Sequence, residues 1–157
     1  MSKRYLALAL VAGVLAGCAT GPTTKTTLPT RPSKAPVDAN ADWQNLGVSP
    51  NGNILNEIDK LSIKHQGNLV SFRDKKTIFN PKKENFLSTP VHKYSINQWQ
   101  IDCQSHTYRL SSMTLYDEGN RPIASFTYNA DQIKPAPVVQ NSASYQQMLF
   151  VCGSQGI

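Results

Sequence analysis

Tyr94-Ser95-Ile96-Asn97-Gln98-Trp99-Gln100-Ile101-Asp102-Cys103 is the stretch whose reading decides the fold. Successive side chains of an extended strand point to opposite sides. Tyr94, Ile96, Gln98, Gln100 and Asp102 form one set, and Ser95, Asn97, Trp99, Ile101 and Cys103 the other. The second set turns Trp99, Ile101 and Cys103 inward, which predicts a half-buried strand ending at a cysteine. Downstream, Tyr108 to Tyr116 reads as another strand, with Tyr108, Leu110, Ser112, Thr114 and Tyr116 on one face. Asp117-Glu118-Gly119-Asn120 is a turn, and Pro122 to Tyr128 completes a hairpin. Upstream, Trp43 to Val48 and Ile54 to Ile58 are strands flanking Ser49-Pro50-Asn51-Gly52, where Asn-Gly is a strong hairpin signal. Gln66-Gly67-Asn68 is a second turn into a strand from Leu69 to Phe79. Asn80-Pro81-Lys82-Lys83 breaks the pattern, and a polar stretch runs on to Pro90. Turns recurring about every 10 to 20 residues predict a meandering antiparallel sheet.

The last segment has a different period. In Ser142-Ala143-Ser144-Tyr145-Gln146-Gln147-Met148-Leu149-Phe150-Val151-Cys152 a serine is placed to cap a helix. Tyr145, Met148, Leu149 and Cys152 then fall on one helical face. The expected class is therefore α+β, a sheet with one helix laid across a face.

The N-terminus bears on location. Lys3 and Arg4 precede an apolar run from Tyr5 to Leu15, too short for the roughly 20 residues that span a bilayer. Leu15-Ala16-Gly17-Cys18 resembles the lipobox of bacterial lipoproteins. That resemblance implies a signal peptide over residues 1–17, cleaved before Cys18, with acyl chains on Cys18 anchoring the protein to a membrane. More than one chain is needed for a firm hold. Ala19 in place of Asp suggests an outer-membrane address in enteric-type bacteria. Loss of Lys3 and Arg4 lowers the formal net charge from +6 to +4, so the mature chain is only mildly basic. Residues 18–42 are rich in Thr and Pro, with Pro22, Pro29, Pro32 and Pro36, and hold almost nothing large and apolar. Such a segment predicts a tether, reaching roughly 70 Å at most if fully extended. Residues 43–157 remain as one domain.

With Cys18 lipidated, Cys103 and Cys152 are the remaining cysteines. In an exported protein two cysteines most simply form one disulfide; a pair of buried free thiols is the alternative.

Several residues together carry a family resemblance. Trp43, Leu46-Gly47 and Asn51-Gly52 open the domain, followed by Asp59, Ser62-Ile63 and Gly67-Asn68. Ile101-Asp102-Cys103, Tyr108-Arg109, Tyr116-Asp117 and Val151-Cys152 complete the set. The chain resembles the surface-adhesin protein E family of Gram-negative lipoproteins. The resemblance implies a sheet of about six antiparallel strands, a C-terminal helix, a Cys103–Cys152 disulfide and an outer-membrane location. Some members bind host matrix and serum proteins. The segment from Asn80 to Val91 follows no such pattern and is unusually basic.

The candidate binding residues are Arg73, Lys75, Lys76, Lys82, Lys83 and Lys93, set against Asp74 and Glu84. Such a cluster suits sulfated glycans, acidic host proteins or lipopolysaccharide phosphates, held by salt-sensitive attraction. The bland alternative is an edge strand guarded by lysines. Nucleic acid is not an expected partner of an exported protein with so modest a charge. His65, His92 and His106 lack paired ligand spacing for zinc. No cofactor or metal is therefore expected. Asp102-Cys103-Gln104-Ser105-His106 places triad residue types together but reads as a turn, with Asp102 facing Arg109 as an ion pair. The expectation is a non-enzymatic, lipid-anchored binding module displayed as an adhesin. The second expectation is a periplasm-facing envelope lipoprotein that inhibits a hydrolase or scaffolds its neighbours.

Overall fold

The computed structural model describes residues 40–153. Residues 1–17, Cys18 and the expected tether as far as residue 39 lie outside the described residues. In chain order the elements are β1 (Trp43–Val48), β2 (Ile54–Asp59), β3 (Lys64–Gln66), β4 (Leu69–Ile78), β5 (Tyr94–Asp102), β6 (Thr107–Tyr116), β7 (Pro122–Thr127), β8 (Ala136–Pro137) and α1 (Ala143–Cys152). Six strands form an antiparallel path in the order β1-β2-β4-β5-β6-β7. The two remaining strands are short and were not legible as sequence patterns. β3 continues the β2 side of β4, and β8 continues the β7 side of β6.

Both faces of the sheet carry apolar residues, but they are not equal. Ile58, Val70, Phe72 and Ile101 lie under Met148 and Val151 of α1 and form the main core. Tyr94, Ile96 and Tyr116 form a smaller cluster, with Trp43 packed against it. Tyr94 pairs with Tyr116 in register, and their rings stack at 4.7 Å. The alternation of β5 thus buries apolar residues in both of its sets. Trp99 packs against the main core, as expected from the sequence, and Tyr108 packs beside it.

Three register shifts interrupt the sheet, at Ser111 in β6, Leu46 in β1 and Ile123 in β7. Trp99 pairs with Leu110 but Gln98 pairs with Ser112, so Ser111 is an extra residue in β6. A β-bulge of this kind reverses the inside–outside phase beyond it. Tyr108 and Leu110 therefore share a face with Met113 and Leu115, whereas Ser112, Thr114 and Tyr116 lie on the other. The single-face reading of β6 is corrected accordingly. In β1, Asn45 pairs with Glu57 and Gly47 with Asn56, so Leu46 is extra and packs into the main core. Gly47 has φ +111°, a conformation L side chains rarely adopt, and its N–H donates to Asn45 Oδ1 at 2.7 Å.

α1 begins as expected, with Ser142 Oγ accepting from the N–H of Tyr145 at 3.2 Å. Its buried face is rotated from the expected one. Gln147, Met148 and Val151 are buried, while Leu149 is only partly so. Gln147 turns inward because a carboxylate waits beneath it. Its Nε2 donates to Asp74 Oδ2 at 2.6 Å, and Asn97 Nδ2 donates to Asp74 Oδ1 at 2.7 Å. Asp74 is fully buried in the central strand β4, so both oxygens need partners.

Cys103 and Cys152 are joined by a disulfide across a Cα–Cα distance of 5.7 Å. It ties the last residue of α1 to the end of β5, and the free-thiol alternative falls away. The 49-residue separation gives a chain-entropy contribution of about 4 kcal/mol, commonly reduced in practice. Replacing both cysteines by Ser is expected to lower the unfolding free energy by about 3 kcal/mol, seen as a lower urea midpoint. Amide exchange in α1 is expected to accelerate more than exchange in β4 and β5.

Candidate binding surface

β4 lies inside the sheet, paired with β2 and β3 on one side and β5 on the other. Its cations therefore do not guard an edge. Arg73 and Lys75 share one face and Lys76 lies on the other, as strand alternation requires. Each has a partner. Arg73 forms an ion pair with Asp59. Lys75 sits 3.2 Å from Glu57 and 4.5 Å from the centre of the Trp43 ring. Lys76 lies 4.0 Å from Asp74 and 5.4 Å from the Trp99 ring. Cation–π contact and ion pairing commit all three to holding the domain together.

Asp59 is the centre of one such contact and is fully buried. Its Oδ1 accepts from the N–H groups of Asp42 at 2.9 Å and Leu61 at 3.1 Å, capping a 3-10 turn at Lys60–Ser62. Its Oδ2 accepts from both Nε and a terminal nitrogen of Arg73. Ser62 Oγ donates to Asp59 O and accepts from Arg73 N, both at 2.7 Å. Asp59, Leu61, Ser62 and Arg73, with Lys64 and Gln98, line a polar cleft of about 380 Å³. Burial on its own raises the Asp59 pKa. Arg73, together with the N–H groups of Asp42 and Leu61, more than offsets that, and the carboxyl is held below its ordinary value.

The other three cations lie at the end of the sheet reached by β4 and left by β5. Lys82 and Lys83 are exposed on a 3-10 turn at Pro81–Lys83. Lys93 closes the base of the same loop, its Nζ donating to Phe79 O at 3.0 Å. The six cations therefore divide into three committed to β4 and three around the loop 79–93. The one acid of that loop, Glu84, is turned inward. Its Oε1 accepts from Asn53 Nδ2 at 2.6 Å and Asn51 Nδ2 at 3.3 Å, tying the loop to the β1–β2 turn.

In the β5–β6 turn, Asp102 is engaged by the turn's own backbone. Asp102 Oδ1 accepts from the N–H groups of Ser105 and Gln104, which lower its pKa. The expected Asp102–Arg109 ion pair is not formed. Register places Arg109 opposite Gln100, and its guanidinium donates to Gln100 Oε1 at 2.5 Å. His65, His92 and His106 lie on β3, in the loop 79–93 and in this turn respectively. Among the described residues no three His, Cys, Asp or Glu side chains are grouped to hold a metal ion.

A family profile for surface-adhesin protein E matches residues 43–153, well over half of the chain. The chain belongs to the surface-adhesin protein E family. The match runs from the first residue of β1 to the residue after α1 and so covers the whole stapled unit. Membership gives this protein E domain a surface-adhesin-like role. No curated protein and no solved structure matches the chain. The Asp59–Ser62–Arg73 arrangement was visible in sequence only as Asp59 and Ser62-Ile63 among the family residues. The pairing with Arg73 crosses 14 residues and needs the fold.

Asp59→Asn removes the charge opposite Arg73 but keeps a cap for the turn. It is expected to cost about 2 kcal/mol at neutral pH, read from urea unfolding. The folded-state pKa lies below the unfolded one, so this stabilisation is present above the ordinary carboxylate range. It is lost as pH falls through the depressed folded value. The difference between wild type and Asp59→Asn should accordingly shrink as the solution is acidified.

Proposed function

We propose that this family member is an exported lipoprotein that presents residues 43–157 at the outer membrane as a non-catalytic adhesin. Residues 1–17 serve as its signal peptide, Cys18 receives the acyl chains, and residues 18–42 act as the tether. The sequence Leu15-Ala16-Gly17-Cys18 supports the anchor, and the family match supports adhesion. Its partners are anionic host-surface molecules, with Lys82 and Lys83 as the principal contacts and Lys93 beside them.

The direction of the sheet is the observation that carries this reading. Trp43, the first residue of β1, pairs with Asp59, so the chain enters the domain at the Asp59 end. Val48, Ile54, Ile78, Tyr94 and Tyr116 lie at the other end, where the loop 79–93 projects. Asp59 stands level with Arg73 of β4, five residues or about 17 Å from Ile78. The end opposite the chain's entry carries the exposed Lys82 and Lys83.

Three measurements test the proposal. Cys18→Ser is expected to abolish labelling by radiolabelled fatty acid and release the protein from membranes. Protease applied to intact cells is expected to remove the domain; full protection would favour the periplasm-facing envelope role instead. The purified protein should be retained on heparin in a salt-sensitive manner, and Lys82→Ser with Lys83→Ser should shorten retention. Lys75→Ser should lower stability while leaving retention nearly unchanged. Unaltered retention after loss of Lys82 and Lys83 would remove the loop as an anion site.

A further inference from the structure

The end of the sheet that carries the exposed lysines also gathers large apolar side chains that the core does not use. Leu87 is 87 % exposed, Val91 66 % and Phe79 51 %, all within the loop 79–93. Val48, at 49 %, and Ile123, at 42 %, stand at the same end, on the last residue of β1 and the second of β7. A lone exposed apolar residue on a soluble protein calls for no explanation. Leu61, Leu69 and Val139 are exposed elsewhere, but three such residues within one loop, beside lysines, call for one.

The loop is held in shape although its apolar tips are bare. Ile78 N donates to Lys93 O at 2.9 Å, and Lys93 Nζ donates to Phe79 O, which together pinch the base. The rings of Phe86 and His92 pack edge to face at 5.0 Å, and His92 Nδ1 lies 2.8 Å from Pro90 O. Asn51 and Asn53 draw Glu84 inward, so the outer side of the loop presents Lys82 and Lys83 with no acid of its own. Leu87 and Val91 therefore keep their exposure in an ordered loop, with cations a few residues away.

We infer that the loop 79–93 docks onto the interface of an anionic bilayer, Leu87 and Val91 entering the acyl boundary while Lys82 and Lys83 meet the phosphates. A lipid interface offers negative charge directly above hydrocarbon, which matches lysines beside exposed Leu and Val. A sulfated glycan offers charge without hydrocarbon and would leave Leu87 and Val91 without a counterpart. The inference shares with the proposed adhesin the contact residues Lys82 and Lys83, and differs in the partner they meet.

The test uses the full lipidated protein anchored in phosphatidylcholine vesicles, mixed with labelled acceptor vesicles. Capture of acceptors containing phosphatidylglycerol is expected, with little capture of pure phosphatidylcholine acceptors. Leu87→Glu with Val91→Glu should reduce capture about a hundredfold, because two apolar contacts are lost and charge is placed at the interface. Lys82→Ser with Lys83→Ser should reduce it about tenfold, an effect that fades as salt is raised. Glu118→Lys, in the exposed β6–β7 turn, should strengthen it. All these positions are exposed, so thermal midpoints should match wild type. Equal capture of neutral and anionic acceptors, or unchanged capture by the Leu87 and Val91 variant, would overturn the inference. Heparin retention or host-protein binding without vesicle capture would also overturn it while leaving the proposed adhesin standing.

Discussion

A twisted antiparallel sheet has two broad faces, and this domain has a single short helix with which to cover one. Ten residues of α1 must seal the apolar stripe of Ile58, Val70, Phe72 and Ile101, yet a helix of that length holds little structure alone. Two contacts make the arrangement work. The disulfide fixes the end of α1 to the end of β5, and Gln147 reaches the Asp74 carboxylate at the centre of β4. Met148 and Val151 fill the space between these two points. The polar contact orients the helix, because a buried carboxylate whose amide partner turned away would be costly.

The opposite face is closed by different means. Trp43, Tyr94, Ile96 and Tyr116 supply apolar area, and Arg73 and Lys75 of β4 lie over it. Arg73 and Lys75 are each held between an acid and the Trp43 ring, at 6.0 and 4.5 Å from its centre. Long cationic side chains cover apolar surface with their methylene stems while their heads remain hydrated. This explains how a strand carrying Arg73, Lys75 and Lys76 can sit in the middle of a sheet. Charge that looks like a binding patch in one dimension becomes part of the sheet's own cover. Of the six candidate cations, the three that lie outside β4 stand around the loop beyond it.

Division of labour between the two ends follows from the meander. Each hairpin connection alternates ends, so the β1–β2, β4–β5 and β6–β7 connections gather at one end and the chain entry lies at the other. The connection between β4 and β5 is the longest at its end, and its bonds to Asn51 and Asn53 brace it against the neighbouring turn. A rigid platform with ordered loops at one end is the common way for a small domain to carry a contact surface.

Much of this was legible in the sequence. Strand alternation, Asn-Gly and Pro punctuation and the Ser142 cap located the six main strands and the helix, since those signals act between near neighbours. Composition and the cysteine count pointed to the Cys103–Cys152 bond. Tertiary structure alone decided the rest. The bulges at Leu46 and Ser111 reverse phase because register is set by the neighbouring strand, which a single segment does not contain. The rotation of α1 onto Gln147 depends on Asp74, 73 residues earlier. Arg109 chose Gln100 over Asp102 because pairing across the hairpin set them opposite each other, while Asp102 was needed by its own turn. The same logic divided the basic residues. Sequence counts charges along a line, whereas commitment of a charge depends on what the fold places within a few ångströms of it.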